Sequence, residues 1–469
     1  MNSRALAVLA TPLLATLSTP TLSAQAATTA APAQRVEGRL PSGATYLMDV
    51  PADWNGTVLL FSHGYRDAAR GPSAAEDAPT PEVQGQLIDA GYALIGSSYA
   101  TTGWAVTEAV PDQLATLDVF TEKFGEARRT IAWGRSYGGL VTTALAERHA
   151  DRFDGSLSMC GLVQGGVANW NSTLDPVFAL RTLLAPDSDI RLTGFTDQAT
   201  ALSAANALAA KVTDAQQTRE GRARIALAAA LHNIPGYNNA TQPVPGPTDW
   251  DAQQANQYTA VTGLIMSPAF SRRQEAEARA GGNPSWNTGV DYTRMLHRSS
   301  VYKEVTELYK EAGLSLRDDL KALNGAPRIS ADPGAVAWMS GTSSFTGRLT
   351  APQLNIHTTG DPLIPVQAES AYRRAATASG SGRLLSQAYV DAPGHCTFTT
   401  GETVAALHTL EHRLDTGHWD TSATTLNSRA QEADPTTSAR YVTYRPTQYP
   451  RPYDLARTHT STPPGAARP

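Results

Sequence analysis

Two kinds of pattern alternate along this chain of 469 residues. Short apolar runs at 57–61 and 130–133 predict strands, the first suited to burial on both faces, and further strands are predicted at 92–97, 155–160, 353–357 and 384–390. Stretches at 81–90, 112–124, 140–149, 366–376 and 402–414 carry apolar residues three and four apart and predict amphipathic helices. Ahead of the first run, 35–40 and 44–50 read as a hairpin around Pro41-Ser42-Gly43. Such alternation predicts an α/β fold, with a mostly parallel sheet covered by helices on both faces.

The rhythm breaks at about residue 161 and resumes near 350. The stretches 199–212, 222–232, 252–264, 268–280 and 301–323 predict helices, with clusters of Gly, Pro and Asn at 234–249 and 281–289 between them. Residues 161–349 therefore read as a mostly helical cap that splits the core into 28–160 and 350–420. Residues 421–469 turn polar and then Pro/Tyr-rich, which predicts an extended surface tail that frays after about 458. At the other end, Arg4, the apolar run 5–17 and Ala24-Gln25-Ala26 make 1–27 a signal peptide, so the mature chain is expected to be secreted. No later segment reaches the ~18 apolar residues of a membrane span.

Composition narrows the chemistry. A net charge of −5 without a basic stripe argues against nucleic acid as a partner. The two cysteines, Cys160 and Cys396, form no C-x-x-C, so neither a zinc site nor any other metal or organic cofactor is expected. Cys160 ends a strand and Cys396 follows a strand-end histidine at the same edge of the sheet. In an exported chain that pair predicts a disulfide, two separately buried thiols being the alternative. No sequence signal bears on oligomeric state.

The densest chemical signal is Gly134-Arg135-Ser136-Tyr137-Gly138-Gly139, between an apolar run and a helical stretch. A serine at the apex of a strand-to-helix turn sits in a strained conformation, which calls for glycine two residues before and after it. A serine hydroxyl needs a base, and the base needs an orienting acid. Asp361, just past a strand, is the expected acid, and His395, in a Pro-Gly-His turn past the last strand, is the expected base. Asp391 is a rival acid but lies only four residues before His395. His63-Gly64-Tyr65 follows the first buried strand, where the amide of Tyr65 can join that of Tyr137 as an oxyanion hole and His63 and Gly64 can border the substrate.

In residue type and order these segments resemble the α/β-hydrolase superfamily, over about 35–165 and 346–415. The resemblance implies an eight-stranded, mostly parallel sheet and acyl-enzyme chemistry, with 161–349 where that superfamily often carries a lid. Ser-Tyr-Gly-Gly resembles the prolyl-oligopeptidase-type peptidases, although no propeller-length region precedes Ser136. His395-Cys396 resembles the tannase and feruloyl-esterase group, although Arg135 stands before the serine where that group carries a cysteine.

The expected activity is that of a secreted serine hydrolase acting on carboxylic esters of small molecules. The alternative is a secreted peptidase or aminopeptidase with the same triad, which would need a cap carboxylate such as Glu220, Glu275 or Asp291 to hold an ammonium. A catalytically dead binding module on this fold would have no need of the ordered triad. Trp170 and Trp286 are the candidate pocket aromatics of the cap.

Overall fold

The computed structural model describes residues 34–453 apart from residue 72. The expected signal peptide and the end of the tail lie outside the described residues. Nine strands form one sheet: β1 (Gln34–Arg39), β2 (Thr45–Val50), β3 (Thr57–Ser62), β4 (Ala93–Ser97), β5 (Arg129–Arg135), β6 (Gly155–Met159), β7 (Gln353–Gly360), β8 (Leu385–Pro393) and β9 (Tyr441–Val442). Their order is β1-β2-β4-β3-β5-β6-β7-β8-β9. The six strands from β4 to β8 run parallel, while β1, β2 and β9 pair antiparallel at the two edges. β3 and β4 are buried at every position, as expected of strands covered on both faces.

Helices α1 (Pro81–Asp89), α2 (Val106–Phe124) and α3 (Tyr137–Arg148) follow β3, β4 and β5. Between β6 and β7 lie α4 (Gly166–Leu184), α5 (Gln198–Ala215), α6 (Arg219–Leu231), α7 (Trp250–Ala260), α8 (Arg273–Ala280), α9 (Tyr292–Leu296), α10 (Tyr302–Glu311), α11 (Leu316–Gly325) and α12 (Pro333–Ser343). After β7 come α13 (Ala368–Ala378), α14 (Thr400–Thr416) and α15 (Ala423–Ala433). Local chemistry fixes several ends. Thr80 accepts from the Val83 amide with Pro81 at the first position of α1, and Thr399 and Glu402 form a reciprocal capping box on α14.

Apolar side chains gather in three clusters. One joins α2, α3 and α13 to one face of the sheet, and a second joins α1, α14 and α15 to the other. The third lies wholly within 174–323, so the cap owns a hydrophobic core of its own.

The structure corrects several expectations. The sheet has nine strands rather than eight, because Tyr441–Val442 pairs with Tyr389 and Val390. Residues 421–453 are therefore not an extended surface tail. They contribute a helix and an edge strand, and Tyr449 is fully buried, with its amide on Ser370 Oγ and its hydroxyl on the Ala168 carbonyl. The stretch 301–323 is two helices broken at Gly313, whose φ of +67° ends α10. α4 was missing from the expected cap helices. It is buried at 16 of its 19 positions, so it carries no polar face and no amphipathic period.

Candidate active site

β5 delivers the chain to Ser136 and α3 leaves from Tyr137, so Ser136 stands alone between strand and helix with φ 56° and ψ −123°. This conformation is unfavourable for a residue with a side chain and persists where the surroundings impose it. They do so by close approach. A Cβ at Gly138 would lie 1.8 Å from the Ser62 carbonyl, and one at Gly134 would lie 2.6 Å from the Gly138 carbonyl. Only glycine lets β3, β5 and α3 converge so tightly.

Three strand ends meet there. His395 follows β8, and its Nε2 lies 2.7 Å from Ser136 Oγ. Its Nδ1 lies 2.6 Å from Oδ2 of Asp361, which follows β7. The other oxygen of Asp361 accepts from the amides of Leu363 and Ile364, both at 2.9 Å. Burial alone would raise the Asp361 carboxyl. The charge of His395 and the hydrogen bonds of His357 and His395 outweigh it and hold the group at about 2. The rival Asp391 instead accepts from Thr359 Oγ1 at 3.2 Å. The arrangement can pass a proton from the hydroxyl to the imidazole while a buried carboxylate steadies the far side of the ring.

Cys160 and Cys396 form a disulfide with Cα atoms 5.5 Å apart. It ties the end of β6 to the histidine turn. Among the described residues, the sole grouping of three possible metal ligands is Cys160, Cys396 and His395, and the disulfide has already consumed both thiols.

A narrow cleft of about 50 Å³ opens at Ser136. Its walls are largely aromatic, from Tyr65, Trp104, Tyr137 and Trp170. Trp104 lies 5.3 Å from the Tyr137 ring, edge to face, and 5.1 Å from the Trp170 ring, tilted at 55°, so core and cap meet through aromatic contacts. Trp170 is held by fully buried Arg273, which donates to its carbonyl at 3.0 Å and stands over its ring. Trp286 does not reach the cleft. It packs edge-on against Tyr453, with its carbonyl held by Arg451. A larger cavity of about 490 Å³ lies between α13 and Tyr453 and shares no residue with the Ser136 cleft.

Tyr137 and the His63–Tyr65 turn both lie beside the serine. Tyr137 is the first residue of α3, where helix amides lack partners in the helix. A Cβ at Gly64 would lie 3.7 Å from the Ser136 Cβ, so the His63–Tyr65 turn borders the nucleophile. His63 is buried behind that turn rather than in the cleft. It stacks on Tyr99 at 3.9 Å, and its ring nitrogens face the carbonyls of Gly64 and Ser98. Burial and then the Arg66 charge lower it to about 4, so the ring is neutral and supports the turn.

Sequence reasoning missed two groups. Arg272 lines the cleft, stands over the Tyr65 ring at 4.7 Å and donates from Nε to Asp67 at 3.3 Å. It closes a stretch containing two π-helical turns, Val261–Ile265 and Pro268–Arg272, which also supply Ile265 and Pro268 to the cleft. A helical period gives no warning of such turns. The second group is His357, buried in β7 behind Asp361. Asn355 and His357 as polar residues in an otherwise buried strand were the available sign of a polar network.

Comparison with known proteins gives three findings. A model of the prolyl oligopeptidase family matches residues 95–215. An o-phthalyl amidase from Xanthobacter agilis is 30% identical over 430 residues, covering 86% of this chain and 93% of that protein. Among solved structures, feruloyl esterase B from Aspergillus oryzae is similar at 13% identity and a TM-score of 0.40, covering 82% of this chain and 80% of its own. The acylaminoacyl peptidase of Pyrococcus horikoshii is similar at 12% identity and a TM-score of 0.36, covering 83% and 40%.

Proposed function

We propose, because this chain belongs to the α/β-hydrolase superfamily and within it to the family of o-phthalyl amidase, that it is a secreted serine hydrolase opening carboxylic acyl bonds through a covalent acyl-enzyme. Ser136 attacks the acyl carbon, and His395 Nε2 takes its proton and returns it to the leaving group. Asp361 holds and stabilises the imidazolium, and the amides of Tyr137 and Tyr65 receive the oxyanion. The observation that carries this reading is the unbroken chain from Ser136 Oγ to His395 to Asp361, at 2.7 and 2.6 Å, facing an aromatic cleft. Secretion is part of the proposal, supported by the Cys160–Cys396 disulfide, a bond that persists in oxidising compartments.

Carboxylic esters of small molecules are the first substrate class. A second reading, the amide bond of an aromatic acyl group, is favoured by the amidase relative and by Arg272. Among the described residues lining the cleft, Arg272 alone carries a fixed charge, and it is a cation. Arg272 meets Asp67 through Nε, and its remaining N–H groups can receive a carboxylate beside an aromatic ring, as in an o-phthalyl group. The aminopeptidase alternative loses its expected anchors. Glu275 is engaged by Arg279 and the Trp104 amide, Asp291 caps α9, and neither these two nor Glu220 lines the cleft.

The test is a panel of p-nitrophenyl esters, monophthalyl amides and aminoacyl-p-nitroanilides, with Ser136→Ala as the blank. Turnover of esters or phthalyl amides that vanishes in the blank supports the reading. Selective turnover of the aminoacyl anilides would replace it with the peptidase.

A further inference from the structure

His357 lies in the middle of the site's support and takes no part in the reaction just described. It sits on β7 with no exposed surface. Its Nδ1 lies 3.1 Å from Glu369 Oε1 of α13. Its Nε2 lies 3.0 Å from the Ile364 carbonyl and 3.4 Å from Asp361 Oδ2, the same oxygen that meets His395. Every partner around the ring is an acceptor. Two of these acceptors are carboxylates, unlike the backbone carbonyls around His63, and a neutral imidazole with one N–H would leave a lone pair facing oxygen, so this geometry favours protonation of both nitrogens.

Glu369 is built to hold that cation. Its other oxygen accepts from Asn355 Nδ2 at 2.8 Å and from Gln387 Nε2 at 2.6 Å, so the carboxylate is fixed on both sides. The result is a row of alternating carboxylates and imidazoles, Glu369, His357, Asp361 and His395, the first three of them buried.

We propose that His357 is a positioning residue for acyl transfer, a buried imidazolium that holds Asp361 in line with His395 and shares its negative charge. The proposal rests on Asp361 being the acid of the triad. Burial alone pulls His357 down, but the carboxylates of Asp361 and Glu369 outweigh it and push the ring up to about 10. The remaining ionisable neighbours agree with a single cation there. Tyr389, its partner across β8, is engaged by Arg373, and Tyr372 of α13 donates to Glu147. His232 from the cap contacts the Leu363 carbonyl and is kept neutral by burial.

A cation behind Asp361 has a definite kinetic consequence. It draws on the carboxylate charge that would otherwise stabilise protonated His395, and so favours the free base needed for attack. Removing it makes His395 hold its proton more tightly. In His357→Gln, which keeps bulk and an amide donor, the acid limb of the kcat/KM profile moves up by about one pH unit. kcat falls by about 10- to 100-fold as Asp361 loses its fixed position, with KM little changed. A residue that merely filled the core would leave the acid limb where it was.

The second measurement reads the ring in the wild-type protein. Nitrogen-15 spectra of the histidine-labelled wild-type protein report the protonation of each ring, with His357→Gln or Glu369→Gln identifying the signal. A His357 ring protonated on both nitrogens at pH 8, together with the shifted limb, supports the proposal. A neutral ring at pH 8 overturns it, as does a folded His357→Gln with an unmoved limb and kcat within about twofold of wild type. Failure of the triad reading is separate: it shows as unchanged turnover in Asp361→Asn, whatever the state of the His357 ring.

Discussion

In the sheet, the buried charges around Ser136 answer one another. Asp361 meets two imidazoles, and His357 meets two carboxylates. In the cap, buried charges are answered mostly by neutral groups or by the tail. Among the described residues Glu304 meets one side-chain donor, the amide of Gln257, and Glu277 takes the backbone amides of Gly194 and Phe195. Asp175 is satisfied by Tyr292 and by Arg451, which reaches in from beyond the last strand. The sheet thus places its polar groups at strand ends where they can exchange protons. The cap uses its polar groups to fix helices, and through Arg273 and Trp170 to set the cleft wall. The sheet carries the triad groups, and the cap adds Trp170 to the cluster that holds Trp104 and Tyr137.

Breaking the sheet side should give the largest effect. Ser136→Ala is expected to lower kcat/KM by about 10⁴-fold or more with the melting temperature unchanged, and Asp361→Asn by about 10⁴-fold. Steady-state kinetics beside thermal melts checks both.

Breaking the cap side should act through stability. Arg451→Ala leaves the fully buried Asp175 carboxylate without its cation, a loss of about 3–5 kcal/mol in urea unfolding. Asp175→Asn in the same chain should recover part of it. On the sheet side, separating the disulfide by Cys160→Ser with Cys396→Ser is expected to cost about 2–4 kcal/mol and to loosen the histidine turn, seen as a fall in both melting temperature and kcat.

The smallest effect sharpens the comparison by pH. Burial, relieved only by Gln257, pushes the Glu304 carboxyl up to about 8. A carboxyl raised on folding binds its proton more tightly in the native state. Its favourable contribution is therefore full below the ordinary value of 4.5 and fades as pH climbs to about 8. Glu304→Gln should flatten the decline of melting temperature between about pH 5 and 9, and part of the decline that remains belongs to His357, whose raised ring loses its contribution as pH climbs from 6.5 to about 10.

Legibility in the sequence follows the same division. Ser136, Asp361 and His395 could be found because a strained turn and two strand-end loops leave local signatures in glycine, proline and chain order. The strands at 57–62 and 93–97 could be found because burial on both faces makes them nearly continuous apolar runs. α4 could not, because total burial erases the period that reveals a helix. Arg272 could not, because a π-helical turn changes where a side chain points without changing the residues that precede it. The tail misled for another reason. Its prolines and tyrosines read as surface, yet Tyr449 and Arg451 are anchored by Ala168 and Asp175, some 280 residues away in the chain. Trp286 was read as a pocket residue from its type alone, and type does not give direction.

The central claim is that Ser136 carries the acyl group during turnover. Quenching the enzyme with acid during steady-state hydrolysis of a p-nitrophenyl ester, followed by peptide mass spectrometry, tests it directly. The account predicts an added acyl mass on the peptide containing Ser136, absent from Ser136→Ala. An acyl group found on another residue, or undiminished turnover in Ser136→Ala, would contradict it.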